Sequence, residues 1–415
     1  MSRISLVASY SLARGTVLDG YLGFGSPRVV RDPYTREPKL FFTAWRDVAG
    51  QAREVWVAPI VDEENLAIDL RRALRIARGS DFNVTGVNTV DVFYDFYNDQ
   101  WIVFSTIYGG DPKSIAVSLS DPEFKKIEYT LLQAPVTAGD AGFPCISYED
   151  EKFLSCTGGF GLERSLMIVS DFTSRPLSQP TLLKRSLGGL SLKEAADVHK
   201  SFIYDGRFIM LTENLGEEGL WHIQAYFGPR VGLKGFERRA LGKWQIAFSQ
   251  RSPIPYTSEH EKSGYGHPEY TVQLKRPWLL WASFRHCHWA HPDKTLKWAH
   301  EIWAAETTTT YFANPREWLP ALFEADSNIE PPWTLDTLGA SKIMIVAYKP
   351  IERYVLTIRL GRDVNKLVGD EGYYAEESYN IERPGRIIID PAPPAIYVAP
   401  SSQKDFRGLL IYLIP

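Results

Sequence analysis

The sequence predicts an all-β protein: a five-bladed β-propeller over residues 1–310, a linker over 311–340 and a small C-terminal β domain over 341–415. Three observations predict it. Short alternating or apolar strands recur in ordered triplets along the first three quarters of the chain, and no convincing helix separates them. Turn residues punctuate the triplets, most plainly the Asp205-Gly206 pair between two strand-like runs, where both central residues must tolerate positive φ. Aromatic residues are abundant, with 12 Trp, 21 Tyr and 21 Phe in 415 residues, as strands prefer.

The elements follow in order. Ile4 to Leu12 reads as a strand outside the repeats, placed to join the last blade from outside and close the ring. The first copy runs from Gly25-Ser-Pro-Arg28 through Lys39-Leu-Phe-Phe-Thr-Ala-Trp45 to Glu54-Val-Trp-Val-Ala-Pro-Ile60. Val90-Asp-Val-Phe-Tyr94, Gln100-Trp-Ile-Val-Phe-Ser105 and Ser114-Ile-Ala-Val-Ser118 form the second. The third opens at Gly142-Phe-Pro-Cys145 and continues through Lys152 to Thr157 and Ser165 to Asp171. The fourth is the clearest: Asp197-Val-His-Lys200 leads into a strand, the Asp-Gly turn, a second strand to Glu213, and a third at Leu220 to Phe227. The fifth takes Gly266-His-Pro-Glu269, Pro277 to Phe284 and Glu301 to Glu306.

Each copy has a polar opening, then an apolar strand, then an alternating one. A polar opening on the strand nearest a central axis faces that axis. Beyond the copies, the proline-rich stretch with Pro315, Pro331 and Pro332 reads as a linker with a short helix around 316–323, and five strands follow from Lys342 to Ile414.

Composition narrows the function. The chain is 44% hydrophobic and 23% charged, an ordinary globular balance. A net charge of -4 without a long basic run leaves no electrostatic footprint for nucleic acid. The N-terminus lacks an extended apolar core and no run of about 18 apolar residues occurs, so a soluble, cytoplasmic protein without membrane contact is expected. Cys145, Cys156 and Cys287 are too scattered for a disulfide framework or a four-cysteine zinc site. Neither a phosphate-cradling glycine loop nor a Gly-x-Ser-x-Gly elbow is present.

What the axis does carry is carboxylates and histidines. Asp91, Asp140, Asp197 and Glu269 stand at or near blade openings, with Asp19 ahead of the first. Several carboxylates crowded into one concave site raise at least one pKa, which is how a general acid is made at neutral pH. Six of the 8 histidines fall between His260 and His300, and His286-x-His288 on a strand would suit a transition-metal pair, though a polar loop carries such residues without any metal.

The copies resemble the five-bladed glycoside hydrolases of the arabinanase, xylosidase and invertase type, above all glycoside hydrolase family 43, over roughly Asp19 to Glu306. The most specific likeness is Ser263-Gly-Tyr-Gly-His-Pro-Glu269 followed by Trp278 to His286, which is similar to that family's fifth-blade opening. The resemblance places His267 at the propeller centre, beside a bound metal ion or a water cluster, and implies a single calcium-like ion as the one cofactor to expect. It also shows departures: Ser26 stands at the general base, Phe143 at the aspartate that orients the acid, and Asp197 at the glutamate that serves as acid.

The resulting assignment is Asp197 as general acid, Asp140 as base or acid-orienting group, and Glu269 in place of the absent first-blade base. Trp45, Arg46, Asp91, His199, His267 and Arg285 are assigned to the substrate, His199 by the period of two from Asp197. The expected function is glycoside hydrolysis of an oligosaccharide or glycoside. Three alternatives stand beside it: a sugar-binding propeller without chemistry, a glycoside phosphorylase using Lys200 and Arg46 for phosphate, and a protein-interaction propeller.

Overall fold

In a computed structural model, the structure describes residues 4–32, 34–95, 99–112, 114–133, 145–148, 152–158, 165–170, 181–184, 197–204, 207–215, 221–230, 245–250, 264–271, 274–276, 278–284, 300–306, 321–324, 331–337, 342–347, 353–369, 372–382, 385–401 and 409–414. The chain divides into two compact units, one of Met1–Arg31 and Glu37–Asn314, the other of Asp32–Arg36 and Pro315–Pro415.

The first unit contains five antiparallel sheets among the described residues, in the order the repeats predict. Gly23–Arg31, Pro38–Trp45 and Glu54–Asp62 build the first, with Ala67–Ile68 and Leu74–Arg78 both alongside its third strand. Gly86–Asp95, Gln100–Tyr108, Ser114–Ser120 and Ile127–Gln133 build the second. The third takes Cys145–Tyr148, Lys152–Gly158, Ser165–Ser170 and Thr181–Lys184, and the fourth Asp197–Tyr204, Arg207–Leu215, Trp221–Arg230 and Gln245–Gln250. Gly264–Thr271, Trp278–Phe284 and Ile302–Glu306 form the fifth. In the fourth sheet Tyr204 pairs with Arg207, so a two-residue connection joins the strands at the predicted Asp-Gly.

The first strands pack against one another in a closed cycle: first sheet to second, second to third, third to fourth, fourth to fifth, and fifth back to first. That is a β-propeller. Ile4–Ala8 pairs antiparallel with Ile302–Glu306 and is the outermost strand of the fifth sheet. The predicted closure by the N-terminus therefore holds, over a shorter strand than Ile4 to Leu12, because Ser9 caps a short helix at Tyr10–Ala13 and accepts the Leu12 N–H at 3.3 Å.

Ring closure explains the apolar runs. The second strand of the first sheet is buried along seven of its eight residues, because sheets on both sides cover it. On one side Phe24, Leu40 and Phe42 pack with Val7, Trp278 and Ile302. On the other Phe41 meets Trp101 at 5.5 Å, and Trp101 stacks on Phe124 at 5.7 Å.

The second unit is a pair of four-stranded antiparallel sheets around an aliphatic core that includes Ile343, Leu356, Ile396 and Ile411. Tyr354–Gly361 alternates between buried and more open residues, whereas Lys342–Ala347 is buried at five of its six residues. Residues 311–340 contribute an edge strand to each sheet: Ala321–Glu324 pairs with Leu410 to Leu413, and Trp333–Asp336 with Ala395 to Val398. Where a helix around 316–323 was expected, Ala321 to Phe323 are strand and 316–320 lie outside the described residues. The module thus gains two strands that proline-rich composition concealed.

The Glu63 carboxylate, paired within the first sheet's segment, also ties that sheet to the fifth. Arg31 reaches Glu63 with both terminal nitrogens, at 3.2 and 2.8 Å, and the Lys275 backbone N–H donates to the same carboxylate at 3.0 Å. Burial pushes the Glu63 carboxyl up, but the Arg31 hydrogen bonds and charge and the Lys275 contacts outweigh it and hold the group below its ordinary 4.5. A depressed carboxylate contributes stability above its unfolded pKa and loses it as pH falls through the folded one. Glu63→Gln should therefore cost about 0.5–1 kcal/mol at pH 7, and the difference should vanish below the Glu63 pKa. Urea unfolding of both proteins across pH 3–7 measures this.

Candidate functional site

The first strands of four sheets share an irregularity. The ladder shifts register between Gly25 and Arg28, between Asn88 and Asp91, between Val198 and Lys200, and between Gly266 and Glu269. Each is a β-bulge on the strand nearest the centre, and a bulge re-aims the residues that follow it. In the first and fifth sheets the local sequence is Gly-x-Pro, and x has a left-handed backbone: φ is 48° at Ser26 and 50° at His267. A non-glycine residue before proline avoids this region, so each conformation costs about 1–3 kcal/mol and must be held by its surroundings.

The two strained residues hold each other. His267 Nδ1 accepts the Ser26 backbone N–H at 3.2 Å and lies 3.0 Å from Ser26 Oγ, with both residues at most 3% exposed. With Nδ1 accepting an amide N–H, the neutral ring carries its proton on Nε2. The pair has the reach of a nucleophile and base, but burial makes it a fixed joint between the first and last sheets.

Two residues beyond the strained positions, the bulges deliver Arg28 and Glu269, and the second sheet delivers Asp91 in the same register: Arg28 pairs with Phe41, Asp91 with Phe104 and Glu269 with Leu280. Arg28 Nε lies 3.3 Å from Asp91 Oδ1 and 3.5 Å from Glu269 Oε2, all three side chains at most 2% exposed. Glu269, assigned from sequence as the substitute base, is thus engaged with a buried cation, and Asp91, assigned to substrate, shares that cation.

At the starting end of these strands lies a second polar group. Arg53 stacks on Trp45, 4.2 Å from the ring centroid, donates through Nε to the Gly50 carbonyl at 2.7 Å and bonds Asn88 Oδ1 through Nη1. Asn88 donates to the Tyr108 hydroxyl at 3.0 Å, and His300 meets Trp45 edge-on at 5.2 Å. Backbone bonds lace the sheets here: Phe24 N–H to His300 O at 3.0 Å and Val87 N–H to Arg53 O at 3.0 Å. Gly86 permits this approach, since a Cβ there would lie 2.0 Å from the Gln51 carbonyl oxygen.

The sequence assignments fare unevenly. Trp45 is fully buried beneath Arg53 and away from any rim. Arg46 is exposed and lies over Tyr21, 4.4 Å from its centroid, where burial and then the hydrogen bond to Glu54 hold the Tyr21 hydroxyl well above its usual pKa. Asp197 begins the first strand of the fourth sheet, opposite Glu213. His199 is the extra residue of the bulge, so the period of two from Asp197 does not carry across it. Asp140 and Arg285 lie outside the described residues, as do His286 and His288. Sequence reading missed Arg28, Arg53, Asn88 and His300. The signal for Arg28 was the repeated Gly-x-Pro-charged motif, read as a resemblance and not as a shared bulge.

No protein-family profile matches the chain, and no curated protein does. Among solved structures it is similar to an α-L-arabinofuranosidase from Podospora anserina in complex with cellotriose, at 12% identity and a TM-score of 0.46, over 74% of this chain and 97% of that one. An exo-β-1,3-galactanase from Phanerochaete chrysosporium with β-1,3-galactotriose aligns at 9% identity and a TM-score of 0.46, over 99% and 100%. A β-fructofuranosidase from Bombyx mori aligns at 11% and 0.45, over 95% and 93%. At such values the chemistry rests on this chain's own residues.

The packing at Gly25 is testable. A Cβ there would lie 3.1 Å from His267 Nδ1 and 3.5 Å from Trp45. Gly25→Ala should displace the Ser26–His267 joint and destabilise the protein by about 1–3 kcal/mol, measured by denaturant midpoint.

Proposed function

We propose that the first unit is a complete five-bladed propeller that hydrolyses a glycosidic bond in an oligosaccharide or glycoside, with its chemistry at the starting end of the inner strands. The observation that supports this reading is the bulge repeated on four inner strands, which in three of them brings charged residues of separate sheets, Arg28, Asp91 and Glu269, together. Hydrolysis needs two carboxyls facing one bond from different directions, and converging strands of neighbouring sheets supply that geometry.

Asp197 remains the general acid in this reading. Its backbone register partner is Glu213. Asp140 serves as the second catalytic carboxyl. Glu269 leaves the catalytic set, because it is 2% exposed and paired to Arg28. Asn88 and Tyr108 offer hydroxyl-directed hydrogen bonds at the same end, with His199 and Arg285 as further substrate contacts.

A panel of aryl glycosides and short oligosaccharides, assayed for released aglycone and reducing ends, tests the reading. Asp197→Asn should lower kcat/KM by about 10²–10⁴-fold with the unfolding midpoint unchanged. Sugar binding without turnover by the unaltered protein would replace hydrolysis with recognition. Turnover indifferent to Asp197 would remove the assigned acid.

A further inference from the structure

We propose that the guanidinium of Arg28, and not a metal ion, is the buried cation shared by the inner strands of the first, second and fifth sheets. The residues present do not fit a metal there. A divalent cation such as calcium needs carboxylate oxygens at about 2.3–2.6 Å and several further oxygen ligands. Here Arg28 Nε already faces Asp91 at 3.3 Å and Glu269 at 3.5 Å from two neighbouring sheets, with no more than 2% of any of the three exposed. The guanidinium is further fixed by its Nη1 donating to the Pro27 carbonyl at 2.7 Å. Among the described residues no cluster of three His, Cys, Asp or Glu side chains gathers to bind a metal.

The charge pattern around the ring supports the same conclusion. The position just past the bulge is Asp91 in the second sheet, Arg28 in the first and Glu269 in the fifth, opposite Phe104, Phe41 and Leu280. Arg28 stands between the two carboxylates in ring order, and one cation is shared by both. Arg28 also does what a sphere cannot: it is covalently part of one inner strand while it draws the inner strands of both neighbours to it. It is a positioning residue, holding three strands at the depth from which the starting end projects. The inference stands whether or not the protein hydrolyses anything.

Thermal unfolding of the full-length protein with chelator, and then with millimolar calcium, tests it. A resident ion well above its dissociation constant would move the midpoint by several degrees, and the unaltered protein should show no such movement. Arg28→Met should lower the midpoint by on the order of 5–10 °C, because two buried carboxylates lose this cation. Should that variant fail to fold, Arg28→Lys keeps the charge, and its midpoint should be indifferent to calcium. A calcium-dependent midpoint in the unaltered protein that Glu269→Gln abolishes would overturn the proposal. An Arg28→Met protein as stable as the original would do the same.

Discussion

The middle strand Pro38–Trp45 of the first sheet is apolar on both faces, and that constraint governs the rest. A sheet such as the one carrying Leu40 to Trp45 has no face to leave in water, so it must be sandwiched by two others. A linear stack would leave two end faces bare. Closing the stack into a ring removes the ends, and the chain secures the closure by pairing its own N-terminal Ile4–Ala8 with Ile302–Glu306. The ring then opens only by stripping a ladder of backbone hydrogen bonds, with the Lys275 N–H to Glu63 bond reinforcing the same seam.

Closure creates a second problem at the centre, where inner strands converge and their backbones would collide if all stayed regular. The bulges answer it. They bend the strands and turn aside residues that would otherwise crowd the axis, at the cost of strain at Ser26 and His267. The strain is offset locally, since the left-handed backbone of Ser26 presents its N–H to His267 Nδ1. What fills the freed space is charge. Buried ions are tolerated only when paired, and Arg28 pairs two carboxylates at once.

The ion cluster lies past the bulges, while Trp45, Arg53, Asn88 and Tyr108 lie at or before them, in the register of the strand starts. Arg53 spends its fork on the Gly50 carbonyl and Asn88 and its face on Trp45, and so joins the first sheet to the second. In the second unit Tyr354–Gly361 alternates, with its inward side chains in a core between two open sheets.

The order of strands, the polar opening of each copy, the Asp-Gly hairpin and the closing N-terminal strand were all determined by the sequence alone, because turn chemistry and strand alternation act between residues a few positions apart. The strands at Ala321–Glu324 and Trp333–Asp336 were not legible, since both are short edge strands set in proline-rich sequence and defined only by partners at Leu410 to Leu413 and Ala395 to Val398. Nor was the fate of Glu269, which looked like a free carboxylate near a turn. Only tertiary structure decided that it faces Arg28 together with Asp91. The physical reason is that one extra residue in a bulge reverses which side chains face inward, and which charges then meet depends on which sheets the ring makes neighbours.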